Sequence, residues 1–486
     1  MSVPFPLLRV LFPFLLLALA GCATVPHDRG MSEVQNLIVQ RDAALAAHPL
    51  SLNTSAPDLD AQVERLLSEP MAPERAVGVA LLRNPRVQLA YARLGLEQAD
   101  WVEASRLSNP VLSLSALESS AAGERTRLGY GLAQNFTDLL FLRMRSRGAD
   151  RSVQAGQAQV AAQIQDLATE VRGAWFDAAG AEQLAQMREL IGRAAAASAT
   201  LAQRFHAAGN LSALELAREH AASEQAALDA EHARHLAQAA RLRLNALMGL
   251  APDASWTLDT ALPLPVDEES AAPELMTLAL QQRLDLAAHR QDLLAVEQVA
   301  TLARRLRWLP FLEVGIEGER EGDGSRLLGP SVALELPLFG KSQGARLRTE
   351  ALREQTLAQT AALESEIANE VAAAHAATLA ARARVPRHRQ GLSPQREAIV
   401  ARMQELQNYM IVGQFELLMA KRDEFDAYIG YLEALRDYWL ARTRLARAVG
   451  GALPSDARIG ERRERAPLLP ETPASDPHAH HHGGHH

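Results

Sequence analysis

The segment Leu312-Glu313-Val314-Gly315-Ile316-Glu317 decides the fold. Apolar residues alternate with small or acidic ones, so an extended chain here has one greasy face and one wettable face. Three further segments share the pattern. Leu112, Leu114 and Ala116 alternate with Ser113 and Ser115; Leu128, Tyr130 and Leu132 alternate with Gly129 and Gly131. Val332, Leu334, Leu336 and Leu338 alternate with Ser331 and Glu335. Such staves meet hydrocarbon on one side and water on the other. The strands expected at 111–117, 126–136, 311–318 and 330–337 approach the ~9–11 residues that cross a bilayer. Four staves cannot close alone, and open edges are not tolerated in lipid, so closure requires several copies. Two copies would make a barrel filled by its own side chains, whereas three could leave a lumen. Glu313, Glu317 and Glu335 fall on the watery face, where they either favour cations or simply solvate the interior.

Working outward, the staves belong to a duplicated chain. Asp166-Leu167-Ala168-Thr169-Glu170-Val171 is echoed by Glu366-Ile367-Ala368-Asn369-Glu370-Val371. Ala80-Leu81 before Asn84-Pro85 is echoed by Ala279-Leu280 before Arg283-Leu284, and Leu244 to Gly249 by Leu445 to Gly450. Phe205 to Gly209 pairs with Tyr409 to Gly413 at a slightly longer offset. Repeats at so long a period are structural units. Each reads as helix, two strands, one very long helix, a tight turn and a shorter helix. The expected helices are 73–107, 138–208 and 211–249, then 272–308, 342–412 and 415–450. A helix over 138–208 would be roughly 105 Å long. Pro386, Gly391 and Pro394 should kink or interrupt its counterpart. Phe425, Tyr428, Leu432, Leu435, Trp439, Arg442, Ala446 and Val449 alternate by three and four, as do Met187, Ile191, Ala194, Ser198, Leu201 and Phe205. That spacing predicts narrow coiled-coil seams. The class is mainly α with a small β part.

The N-terminus is an address. One basic residue, Arg9, precedes the apolar run Val10 to Ala18, and Leu19-Ala20-Gly21-Cys22 follows. This is a secretory signal over 1–21. Its ending resembles a bacterial lipobox, in which Cys22 receives a covalent lipid and becomes the first residue, anchored by two or three acyl chains. Ala23 replaces the aspartate that would signal inner-membrane retention, which points to the outer membrane. Cys22 is the only cysteine, excluding an intramolecular disulfide and any cysteine-based zinc cluster. A net charge of −8 offers no basic footprint for nucleic acid. The chain then divides into a lipidated N-terminal segment at 22–72, repeats at 73–250 and 272–450, a linker at 251–271, and a tail at 451–486.

Ordered twice along the chain, these motifs resemble the TolC-like outer-membrane factors, the exit ducts of bacterial tripartite efflux pumps and type I secretion systems. The residues carrying the resemblance include Ala76-Val77 through Asn84-Pro85, Asn109-Pro110, Leu309-Pro310 and Leu336-Pro337-Leu338-Phe339-Gly340. Arg204 to Gly209, Tyr409 to Gly413 with Leu417-Leu418, and Leu435-Arg436-Asp437-Tyr438-Trp439 complete them, across about 70–450. The resemblance implies a homotrimer with a 12-stranded barrel in outer-membrane lipid and a 12-helix periplasmic tunnel. A mixed equatorial region would be built from the N-terminal, middle and C-terminal segments. It also implies a periplasmic adaptor, an inner-membrane transporter of the RND type, and docking at the hairpin tips Gly209-Asn210-Leu211-Ser212 and Gly413-Gln414-Phe415-Glu416. The glycines would take the left-handed conformation that ends a helix, with Ser212 or Glu416 serving the next helix start.

The chain departs from that family twice. Arg283-Leu284-Asp285-Leu286 lacks a proline common in members. Where the family often places gate aspartates, six and nine residues beyond Gly413, this chain has Met419 and Arg422, with Asp423 and Glu424 just after. No phosphate loop, zinc-protease motif or nucleophilic triad is legible, so no enzymatic role is expected. His478, His480, His481, His482, His485 and His486 end the chain. They form either a passive tail or one with affinity for Cu, Ni or Zn. In the latter case the cargo tilts toward heavy metals. His232 and His235, three apart on a helix, fit a polar face better than a metal site. The competing reading is a non-conducting periplasmic coiled-coil scaffold lipoprotein.

Overall fold

The computed structural model describes residues 28, 30–48, 50, 56–118, 126–306, 311–321, 324–336 and 341–456. Cys22 and its lipobox, Leu309-Pro310, Pro337 to Gly340 and the histidine tail lie outside the described residues.

Helices α1 (Met31–Val39), α2 (Ala56–Leu67), α3 (Pro73–Arg83) and α4 (Pro85–Ala104) lead to strands β1 (Val111–Leu117) and β2 (Arg127–Asn135). The long α5 (Phe136–Ala207) and α6 (Ala213–Met248) form the first hairpin. The order then repeats with α7 (Ala272–Gln282), α8 (Leu284–Leu306), β3 (Leu312–Arg320) and β4 (Arg326–Leu334). The second hairpin is α9 (Lys341–Pro386), a π-turn (Arg387–Leu392), α10 (Ser393–Asn408) and α11 (Gln414–Val449). Each repeat contributes to two compact units. One comprises Gln88–Ala162 and Leu284–Ser365 with the N-terminal stretch to Leu37; the other comprises Ile38–Val87, Gln163–Arg283 and the chain from Glu366.

The helix expected over 73–107 is two helices. Asn84 is extended (φ −68°, ψ 125°), as a residue before proline must be, and its side-chain oxygen accepts the Arg86 N–H at 2.8 Å. The second repeat breaks at the equivalent place without a proline. Arg283 is also extended (φ −60°, ψ 117°), and its guanidinium reaches the Ala448 carbonyl and Glu370. Tertiary bonds replace the missing ring constraint. The Schellman-type helix ends at Gly249 (φ +71°) and Gly450 (φ +85°) abut these two breaks, a Cβ at Gly249 falling 2.7 Å from the Arg83 carbonyl oxygen. Internal duplication is thus visible as matched caps.

Pro386 ends α9, and Pro394 opens α10 after one turn of π-helix, the interruption expected there. β3 and β4 differ from the expected 311–318 and 330–337 because the hairpin is tighter. The Glu321 N–H reaches the Ser325 carbonyl at 3.0 Å and Gly324 takes φ +90°, so pairing continues to Arg320 and resumes at Arg326.

In the second unit, three distant segments meet. Met71 and Leu258 form a parallel bridge, and the Ala452 N–H reaches the Arg41 carbonyl at 3.0 Å. Arg442 (5% exposed) lies among Glu269, Ser455 and Asp456; Tyr438 donates to Glu269 at 2.8 Å. Phe176 stacks on Trp439 at 4.9 Å, whose indole donates to the Pro263 carbonyl. N-terminal, middle and C-terminal segments therefore contribute to one cluster in this unit. The buried face of α11 is broader than a narrow seam, since Tyr431, Ala434, Tyr438, Ala441 and Leu445 are buried beside the seam residues. Between Met187 and Phe205 on α5 the buried small residues are Ala195, Ser198, Ala199 and Ala202; Ala194 is exposed.

Candidate channel face and hairpin tips

The four strands form one antiparallel sheet in the order β1-β2-β3-β4. Register sorts most side chains by face. Leu112, Leu132, Ile316 and Pro330 share one rung, and Leu114, Tyr130, Gly318 and Leu328 the next, all on one face. On the other face Ser113, Gly131, Glu317 and Gly329 share a rung, followed by Ser115, Gly129, Glu319 and Leu327. Glu313 and Glu335 belong to this second face by alternation. Glu319 joins them. It was legible two residues beyond Glu317, yet lay past the expected strand end. The glycines clear space: a Cβ at Gly131 would lie 2.6 Å from the Ser113 hydroxyl and 3.1 Å from Glu317 Cγ. A hollow of about 590 Å³ lies over this face, bordered by Ser113, Ser115, Gly129, Glu317 and Glu319.

The apolar face is bare. Leu112 is 67% exposed, Leu114 76%, Leu328 71% and Val332 68%. Large contiguous apolar surfaces on water-facing proteins are rare and mark interaction or membrane contact. Among the described residues β1 and β4 each have one neighbour, leaving two free ladder edges.

At the first tip, the Asn210 N–H reaches the Phe205 carbonyl at 2.9 Å with Gly209 at φ +79°, a Schellman ending. Ser212 caps α6: its hydroxyl accepts the Glu215 N–H at 3.2 Å, and the Glu215 carboxylate accepts the Ser212 N–H at 3.0 Å. The Ser212 hydroxyl bond holds the Glu215 carboxyl below its usual range. At the second tip, the Ile411 N–H reaches the Leu406 carbonyl at 3.0 Å, and Met410 takes the left-handed position at φ +58°. This corrects the pairing of the two tip glycines. Gly413 is not a helix end; it is the N-cap of α11 at φ −73°, equivalent to Ser212, and its N–H donates to Glu416 at 3.2 Å. Gly209 matches Met410 instead. The capping roles, rather than the shared glycine, set the alignment.

The structure also moves emphasis within the tips. Leu211 and Phe415 are half-buried, and Phe415 meets Phe205 edge-on at 6.4 Å. Tyr409 (79% exposed), Met410 (94%) and Ile411 (69%) project three consecutive apolar side chains. In the sequence they stand out only as part of a turn motif. Above the tips, the buried carboxylate of Glu219 on α6 accepts from the Ser198 hydroxyl at 2.6 Å and from Arg422 on α11 at 3.1 Å. Arg422, nine residues beyond Gly413, therefore ties one hairpin to the other.

His232 and His235 are exposed, and no group of three His, Cys, Asp or Glu side chains among the described residues is placed to hold a metal. No described helix is long and apolar enough to cross a membrane.

Solved structures share this arrangement. The outer membrane protein VceC of Vibrio cholerae superposes with a TM-score of 0.64 at 18% identity, over 82% of this chain and 99% of that one. CusC, described by its transmembrane channel formation, gives 0.62 at 17% identity over 81% and 92%. The fold is that of the TolC-like outer-membrane channels. Among curated proteins, the cobalt-zinc-cadmium resistance protein CzcC of Cupriavidus metallidurans is 25% identical over 396 residues, 78% of this chain and 90% of that protein. No family model matches the chain. The TolC-like fold includes both a small sheet and two helical hairpins, as found here.

Proposed function

We propose that this chain is one protomer of an outer-membrane exit duct in a tripartite efflux system, and that three copies close its four strands into a 12-stranded barrel. The observation carrying the reading is the single sheet with a bare apolar face, a Ser/Gly/Glu opposite face and two unpaired edges. In lipid, every ladder group needs a partner, and edges are removed only by closure. The periplasmic hairpins then present Tyr409, Met410 and Ile411 to an adaptor coupled to an inner-membrane pump, and the Cys22 lipid supplements the barrel as an anchor. Divalent metal ions are the proposed cargo. The similarity to a cobalt-zinc-cadmium resistance protein supports this, and carboxylates at Glu313, Glu317 and Glu319 suit a cationic solute. The histidine tail fits the same cargo by composition.

Conductance of the purified full-length protein in planar bilayers tests the duct. Stepwise conductance from an oligomer supports it, whereas a bilayer-inactive monomer leaves only a scaffold. Loss of cobalt, zinc or cadmium tolerance in a deletion strain tests the cargo separately.

A further inference from the structure

On the apolar face of β3 and β4 the rungs run Leu312–Leu334, Val314–Val332, Ile316–Pro330 and Gly318–Leu328. The next rung is Arg320–Arg326. Two arginines therefore stand directly opposite each other on the face that otherwise carries Leu112, Leu132 and Tyr130. Both are exposed. Neither makes an ion pair or hydrogen bond through its side chain among the described residues. Glu319 belongs to the opposite face, and Glu321 accepts from the Ser325 hydroxyl at 3.4 Å. Like charges directly opposite in a sheet repel, and a guanidinium in hydrocarbon is costly unless it lies at the interface. An anion held between the two forks would relieve that repulsion.

Depth indicates which anion. Leu312 to Arg320 spans eight residue steps, about 27 Å along the strand at ~3.4 Å per step. A strand tilt of ~40° leaves about 21 Å across the membrane, close to the ~25 Å apolar band of such barrels. When Leu312 and Leu334 lie at one interface, Arg320 and Arg326 reach the other. We propose that Arg320 and Arg326 clamp the phosphate of a membrane-lipid headgroup in the leaflet that receives the β3–β4 hairpin end. The proposal rests on the reading that the apolar face meets lipid. Guanidinium forks bind phosphate oxygens in bidentate fashion. Acyl chains of the same lipid would lie along Leu328, Pro330 and Val332 on the adjoining rungs. Free phosphate has no such tails.

Full-length protein is reconstituted into phosphatidylcholine nanodiscs doped with bisphosphorylated lipid A, then exchanged into detergent, and the lipid retained is counted by native mass spectrometry. Wild-type protein should keep the phosphorylated lipid, and Arg320→Gln/Arg326→Gln should lose about tenfold or more of it, the change expected when charge-assisted bonds are removed. Arg127→Gln, on the opposite face beside Leu117, should retain it. Dephosphorylated lipid A should be held weakly by every form, and excess inorganic phosphate should not displace the lipid. Equal retention by the double variant overturns the proposal. So does an oligomer that falls apart without Arg320 and Arg326 in both lipid compositions, which would assign them to a neighbouring copy's carboxylate such as Glu118. Wild-type protein that never enters the nanodisc overturns the lipid-facing reading instead.

Discussion

Arg422 on α11 donates to the buried carboxylate of Glu219 on α6 at 3.1 Å, joining the two helical hairpins of one chain. Ser198 on α5 donates to the same oxygen at 2.6 Å. Three helices thus converge on one charge near the tips. Arg422→Ala leaves Glu219 buried with a single partner, which should cost about 1–3 kcal/mol. A double-mutant cycle with Glu219→Gln, read by thermal unfolding, should show coupling of at least half the single-mutant effect. Loosened hairpins should also raise resting conductance in bilayers. Zero coupling would mean the contact holds nothing together.

Met410 carries a strained, 94% exposed apolar side chain between Tyr409 and Ile411. A left-handed non-glycine residue costs about 1–2 kcal/mol, so Met410→Gly should stabilise the protein by about that order. If the tip docks an adaptor, the same change should weaken export, since it removes a contact while relieving strain. Ile411→Glu should abolish export with the oligomer intact on native gels. Leu211→Asp, at a half-buried position, should instead lower stability as well as export. Full export from Ile411→Glu would remove docking from this tip.

Legibility depended mostly on range along the chain, although the expected helix over 73–107 ran through the local break at Asn84–Pro85. Strand alternation at Leu312 to Glu317 depends on a period of two, and it read correctly down to which face Glu313 and Glu317 occupy. The break at Arg283 did not read, because it rests on bonds to Glu370 and Ala448 more than a hundred positions away in part. Tip alignment misled because Gly209 and Gly413 share a letter but perform different capping tasks. The Glu219–Arg422 tie needs two hairpins in place, so neither helix's pattern contains it. Cys22 and the histidine tail belong to sequence alone, lying outside the described residues.

Glu97 gives the first unit a pH dependence of definite sign. It lies half-buried on α4 where a Cβ at Gly156 would come within 2.9 Å of its Cγ. Burial first, then the carboxylates of Asp100 and Asp292, hold its carboxyl above the usual range. The folded protein therefore keeps a proton that the unfolded chain has released. Stability is greatest on the acid side of that interval and falls as pH rises through it. Unfolding midpoints compared at about pH 5 and pH 7 should show the acid sample higher for this contribution, within the range where carboxylates titrate. Glu97→Gln should raise the midpoint at the higher pH and reduce the difference. An unchanged pH slope in that variant would assign the dependence to other groups.

The π-turn offers a paired test of the two repeats. The His388 ring occupies the space beside Gly430 on α11, with Cε1 2.7 Å from where a Cβ would stand. π-turns survive inside helices where a local contact requires them, and here Pro386 and Pro394 bracket one that lets His388 fit. Gly430→Ala should drive the ring out and cost about 1–3 kcal/mol, as overpacking does. His388→Ala in the same chain should recover most of that loss, because the clash is with the imidazole. In the first repeat, the uninterrupted α5 carries Gly192, whose Cβ would meet only Ala226 and Ala230 at 3.6 Å or more. Gly192→Ala should therefore be tolerated, and by helix propensity it should stabilise by about 0.5–1 kcal/mol. Equal penalties at Gly430 and Gly192 would detach the π-turn from the histidine contact and return it to the two prolines alone.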